Sequence, residues 1–150
     1  MEPAMSNSKE TAVRKFLALF HSPKPDIGLM REALAPDARW QAVVPLADVV
    51  YGADAICREV ERQYQIYKDC ECELLNIASS GDTVFTERVD RVRLLDGGKE
   101  VITNVAGIFT VNEDDKIVFW REYWDMLDIA DQIGISGEEM RKLMDTQVAA

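Results

Sequence analysis

The residues with the clearest chemical potential lie in two segments, Thr86-Glu87-Arg88-Val89-Asp90-Arg91 and Phe119-Trp120-Arg121-Glu122-Tyr123-Trp124-Asp125. Both have the character of β-strands, whose side chains alternate between faces. Arg88 and Asp90 therefore project from one face of the first, and Trp120, Glu122 and Trp124 from one face of the second. If those faces line a common concavity, a guanidinium stands between two carboxyls, giving an acid, a base and a cationic bridge. Two neighbouring carboxyls in an apolar pocket resist ionising together, so one can keep its proton near neutral pH while the other acts as base. The same alternation also describes an ordinary cross-strand salt-bridge network on a solvated sheet. The surrounding elements have to decide between the two.

Residues 1 to 7 read as a loose tail, followed by one domain over residues 8 to 150. With Ser8 as N-cap, Val13, Phe16, Leu17 and Phe20 recur at helical spacing, and Ser22-Pro23-Lys24-Pro25 stops the helix. A second helix is predicted from about Asp26 to Leu34, with Ile27, Met30 and Leu34 inward, before Pro36-Asp37 turns the chain. Arg39 to Val44 reads as a short strand with Trp40, Ala42 and Val44 on one face. After a loop over Leu46 to Gly52, a third helix from Ala53 to Tyr67 has an inner stripe of Ile56, Val60, Gln63 or Tyr64, and Tyr67, polar toward its end.

Four long strands follow, Cys70 to Ala78, Thr83 to Leu95, Glu100 to Val111 and Lys116 to Asp125, joined by turn-forming segments rich in Gly, Asp and Asn. Met126 to Ile133 reads as a helix packed by Leu127 and Ile129 or Ala130, and Ser136-Gly137-Glu138-Glu139 as the cap of a last one. The expected class is α+β, a cone-shaped, strongly curved, mixed but mostly antiparallel sheet with N-terminal helices closing a deep pocket. Its inward residues would include Trp40, Arg88, Asp90, Phe109, Trp120, Glu122 and Trp124, with Gln63, Tyr67 and Thr103 as further polar lining. Thr103 and Phe109 share parity, so both face inward only if their strand carries no bulge. Charged groups buried among aromatics are costly unless paired with one another, which favours a functional cluster.

Seventeen Lys and Arg against 27 Asp and Glu give a net charge of -10, which argues against nucleic acid or an anionic membrane surface and for a small neutral or apolar ligand. No apolar run approaches the roughly twenty residues of a membrane span. Met1 to Glu10 lacks the apolar centre of a secretory signal, so a cytoplasmic protein is expected. Cys57, Cys70 and Cys72 form no disulfide pattern, and Cys70-Glu71-Cys72 has only His21 as a histidine partner, so neither metal nor cofactor is expected. His21 reads as a helix C-terminal cap, and Arg91 and Arg93 should face away from Arg88 and Asp90.

Thr86-Glu87-Arg88-Val89-Asp90, Gly107-Ile108-Phe109, Lys116-Ile117 and Trp120-Arg121-Glu122-Tyr123-Trp124-Asp125 resemble the limonene-1,2-epoxide hydrolase family. Tyr51-Gly52-Ala53-Asp54-Ala55-Ile56 is similar to the loop-to-helix step of that family and of the wider superfamily of nuclear transport factor two, ketosteroid isomerase and polyketide cyclases. The similarity spans Lys9 to Gly134. It implies one-step epoxide opening without a covalent intermediate, with Asp90 protonating the epoxide oxygen, Glu122 taking a proton from the attacking water and Arg88 holding both.

Where Glu122 stands the family usually has aspartate, and where Trp40 and Ala42 stand it has a water-holding tyrosine and asparagine. Another group, such as Gln63, Tyr67 or Thr103, then holds the water, or a substrate hydroxyl attacks in an epoxide-opening cyclase. Ketosteroid-type isomerisation through Asp90 and Glu122, and a non-catalytic small-ligand-binding dimer, are the other readings. The superfamily often dimerises across the outer sheet face, where Phe85, Ile102 and Tyr123 would form an apolar patch, so a homodimer is expected.

Overall fold

The structure, a computed structural model, describes residues 7–21 and 24–149, with side chains as far as Met144. Most of the expected tail, residues 1–6, and Ser22-Pro23 of the expected helix stop lie outside the described residues. The elements in chain order are α1 (Ser8–Ala18), α2 (Ile27–Ala33), β1 (Leu34–Gln41), β2 (Val50–Tyr51), α3 (Ala53–Gln63), β3 (Tyr67–Ser80), β4 (Thr83–Leu94), β5 (Glu100–Val111), β6 (Ile117–Tyr123), α4 (Met126–Ile133) and α5 (Gly137–Ala149). They form the expected α+β arrangement around one six-stranded sheet in the order β2-β1-β6-β5-β4-β3. Only β1 and β6 run parallel; the other neighbours are antiparallel. The sheet does not close on itself.

Several local expectations are corrected. Asn7, not Ser8, caps α1, because its side chain accepts the Lys9 amide at 2.8 Å. Pro36 and Asp37 do not end an element but lie inside β1, where the chain bulges between the Leu34–Ile117 and Arg39–Phe119 pairs; a proline with no amide to offer is tolerated there. The presumed loop after Pro45 contains β2, which pairs Tyr51 with Arg39. Helix α3 stops at Gln63, four residues early, because Gln65 and Ile66 tighten into turns and Tyr67 pairs with Leu94 as the start of β3. Leu127 points to solvent at 64% exposure, leaving Ile129 and Ala130 as the packing face of α4.

The core has two parts. Phe16, Met30, Ile56, Phe109 and Trp120 anchor the larger, where α1, α2 and α3 cover the sheet. Val43, Val101, Ile129, Ala130, Met140 and Met144 anchor the smaller, where α4 and α5 gather with Val101 of β5 and the segment that follows β1. The pocket therefore has C-terminal walls as well as the expected N-terminal ones. Helix α5 is set by a capping box, the Ser136 hydroxyl accepting the Glu139 amide at 3.0 Å while the Glu139 carboxylate accepts the Ser136 amide at 3.1 Å. Among the described residues no helix is long and apolar enough to cross a membrane.

Candidate active site

Strands β4, β5 and β6 bring the charged residues together through register. Asp90 stands opposite Thr103, Arg88 opposite Val105 and Glu122 opposite Gly107, without a register shift between β4 and β5. Because side chains on one face recur every second residue, all of these point into one concavity. The cavity measures about 190 Å³, and its walls are mostly apolar. Nine of the ten residues expected to face inward line it, namely Trp40, Gln63, Tyr67, Arg88, Asp90, Thr103, Trp120, Glu122 and Trp124; the tenth, Phe109, is buried in the larger core. Arg91 and Arg93 face away, Arg91 bonding Glu73 at 2.9 Å.

Arg88 is the hub, only 4% exposed. Its Nε donates to both oxygens of Asp90, at 2.9 and 3.1 Å, and its Nη2 donates to Glu122 Oε2. The indole Nε1 of Trp40 donates to the other Glu122 oxygen at 3.3 Å. Trp40 in turn stacks on Trp120, ring centroids 4.3 Å apart and 8° from parallel, so the donor is held by aromatic packing. Trp124 donates to the Ala42 carbonyl at 2.7 Å.

Burial pushes the Glu122 carboxyl above its ordinary range; Arg88 pulls it down, Asp90 pushes it up, and the bonds from Arg88 and Trp40 do not restore it. For Arg88 burial works the other way, favouring loss of the proton, yet the fields of Glu122 and Asp90 override it and raise its pKa. The two results fit together: two carboxylates more than offset the burial of one guanidinium, while a share of one guanidinium does not offset the burial of Glu122. One added proton makes the trio electrically neutral, the condition a low-dielectric pocket favours.

The sequence reasoning missed Gly107 on β5. A Cβ there would lie 2.5 Å from Arg88 Nη1 and 2.9 Å from Thr86 Oγ1, so the guanidinium fits only against a glycine. An isolated glycine between Ala106 and Ile108 in a strand was the available signal. Also unforeseen were Cys70 and Cys72 in the wall, their sulfurs 3.8 Å apart, and Ile133 and Leu143 from the C-terminal helices. Hydrogen bonding to Cys70, then burial, pushes the Cys72 thiol up, so it stays protonated. His21 does not cap α1: its ring accepts the Cys72 amide at 3.0 Å and tethers β3.

The family model described as limonene-1,2-epoxide hydrolase catalytic domain matches residues 7–134. Among solved structures, the chain is similar to an epoxide hydrolase of this type from M. tuberculosis, at 25% identity and a TM-score of 0.71, over 83% of this chain and 88% of that one. It shares its fold with the epoxide hydrolase/cyclase-like enzyme SalBIII, which acts in pyran ring formation in the polyether salinomycin, at 19% identity and a TM-score of 0.71 over 80% and 92% of the two chains. An NTF2-like protein of unknown function from Burkholderia pseudomallei has the same fold, at 17% identity and a TM-score of 0.74 over 85% and 98%.

Proposed function

Starting from the fact that the chain belongs to the limonene-1,2-epoxide hydrolase family, we propose that it opens the ring of a small cyclic, terpenoid or polyketide epoxide in one acid–base step, with no covalent intermediate. The observation that carries this reading is the single guanidinium of Arg88 bonded to both Asp90 and Glu122 within a mostly apolar cavity. An epoxide needs a proton delivered to its oxygen and a nucleophile deprotonated at the same time.

In this scheme Asp90 is the acid and Glu122 the base. A hydroxyl oxygen attacks a ring carbon and forms the new C–O bond, its proton passing to Glu122. The ring C–O bond breaks, and its oxygen takes the proton of Asp90. One proton has moved from Asp90 to Glu122, and its return through the shared guanidinium or solvent resets the site. Burial that raises the Glu122 pKa makes it a stronger base once ionised. The donors from Arg88 and Trp40, one to each oxygen, favour that ionised form.

The attacking hydroxyl can belong to water, giving a diol, or to the substrate, giving a cyclic ether. On the β1 side nothing is free to hold a water, since Trp40 spends its N–H on Glu122 and Ala42, just past the strand, has no side-chain polar group; a water is then held from elsewhere in the cavity, or the substrate's own hydroxyl attacks. The test is incubation with a panel of cyclic, terpenoid and hydroxylated epoxides in H2¹⁸O, with products resolved by mass spectrometry. Labelled diols support hydrolysis and unlabelled cyclic ethers support cyclisation. The reading fails if neither forms, or if turnover survives in both Asp90→Asn and Glu122→Gln. Two further parts of the proposal are a homodimer across the outer sheet face and a cytoplasmic location.

A further inference from the structure

Deprotonation by Glu122 is effective only if the attacking oxygen is held against it with a lone pair aimed at the ring carbon. The polar groups lining the cavity can be taken in turn. Trp40 Nε1 is committed to Glu122 and Trp124 Nε1 to the Ala42 carbonyl. The Trp120 indole N–H and Arg88 Nη1 have no partner among the described residues, but both are sealed and expose no surface. Thr103 and Cys72 are both register partners of Asp90, and neither has its donor and acceptor polarity fixed by a bond to a neighbouring side chain, since either sulfur of the Cys70–Cys72 contact can donate. What remains is a pair at the junction of α3 and β3, Gln63 and Tyr67, where the Tyr67 hydroxyl donates to Gln63 Oε1 at 2.8 Å.

That bond fixes both polarities. With its proton committed to Gln63, the Tyr67 oxygen can only accept from a third group. With its carbonyl oxygen engaged, Gln63 presents its amide Nε2, which makes no hydrogen bond among the described residues and lines the cavity. An acceptor and a donor side by side are the complement of one hydroxyl oxygen that still has a proton to give elsewhere. The Tyr67 phenol also feels the site directly: its pKa is pushed up by burial, by Cys70, and by the charges of Glu122 and Asp90.

We propose that Gln63 and Tyr67 are the positioning pair for an attacking water, Gln63 donating to its oxygen and Tyr67 accepting one of its hydrogens while the other passes to Glu122. The duty then falls at the end of α3 rather than on β1. This inference rests on the acid–base reading above and adds the group that aims the nucleophile.

The experiment uses the full chain, an epoxide from the panel that the wild type hydrolyses, and Tyr67→Phe, Gln63→Leu and their double variant. Expected are kcat values about 10- to 100-fold down in each single variant with little change in KM, and a double variant no worse than the poorer single. In H2¹⁸O the ratio of label at the two ring carbons should drift toward that of the uncatalysed reaction. Tyr67→Phe removes one atom, so it decides the matter if Gln63→Leu does not fold. Wild-type rates and ratios in Tyr67→Phe, while Asp90→Asn and Glu122→Gln are inactive, would overturn this inference and leave the acid–base reading intact. A rise in KM alone would also overturn it, by assigning the pair to substrate recognition. Cyclic ethers without any diol from the wild type would overturn this inference alone, and if the wild type opens no epoxide both fall together.

Discussion

Arg88 and Gly107 fit as plug and socket: a methyl on Gly107 would stand 2.5 Å from Arg88 Nη1, inside the space the guanidinium occupies. The contact lies between neighbouring strands, so backbone movement cannot relieve it cheaply. Gly107→Ala should therefore displace the guanidinium from between the carboxylates. The expected cost is about 1–3 kcal/mol of stability from overpacking and about 100-fold in turnover from misplacement of the trio. Denaturant unfolding and kcat on the same preparation check both.

Removing the hub is more severe. Arg88→Met leaves Asp90 and Glu122 facing each other without a cation, and breaking a buried pair in this way costs about 3–5 kcal/mol. Adding Glu122→Gln removes one of the stranded charges, so the double variant should recover part of that stability and none of the activity. Recovery measured by chemical denaturation separates electrostatic stranding from lost packing.

Glu122 links stability to turnover in opposite senses. Its folded pKa lies above the ordinary 4.5, so the folded state holds this proton more tightly than the unfolded chain. Its stabilising contribution is complete below the ordinary carboxylate range and is lost as pH rises through the raised value. The same ionisation creates the base, so activity should climb over the window in which stability relative to Glu122→Gln declines. Trp40→Phe removes a bond that lowers this pKa, so the acid limb of the kcat/KM profile should move to higher pH.

The outer sheet face exposes Phe85, Ile102 and Tyr123 at 43%, 38% and 38%. If two copies meet there, light scattering with size exclusion should give twice the chain mass, and Ile102→Lys should shift it toward the single chain with epoxide opening retained. A monomeric wild type would remove the dimer from the proposal.

The charged trio and the sheet were legible because period-two alternation leaves little freedom: once β4 and β6 are strands, Arg88 and Asp90 must share one face and Trp120 and Glu122 another, with Trp124 following just past β6. The unbroken β4–β5 register likewise places Thr103 and Phe109 on the inner side. Other features depend on tertiary competition. Tyr67 continues a helical stripe in the sequence, yet pairing with Leu94 takes it into β3. Pro36 is a turn signal that a bulge absorbed. The share of the cavity wall built by Met140, Leu143 and Met144 could not be read from helical periodicity, which says that a face is apolar and not what it covers.

All three tryptophans of the chain, Trp40, Trp120 and Trp124, border the cavity. The tryptophan emission of this protein thus comes entirely from rings beside the place where a small molecule would sit, two of them coupled by stacking. Occupancy can be followed by the colour and intensity of that light, without a label and with an inactive variant as readily as with the wild type.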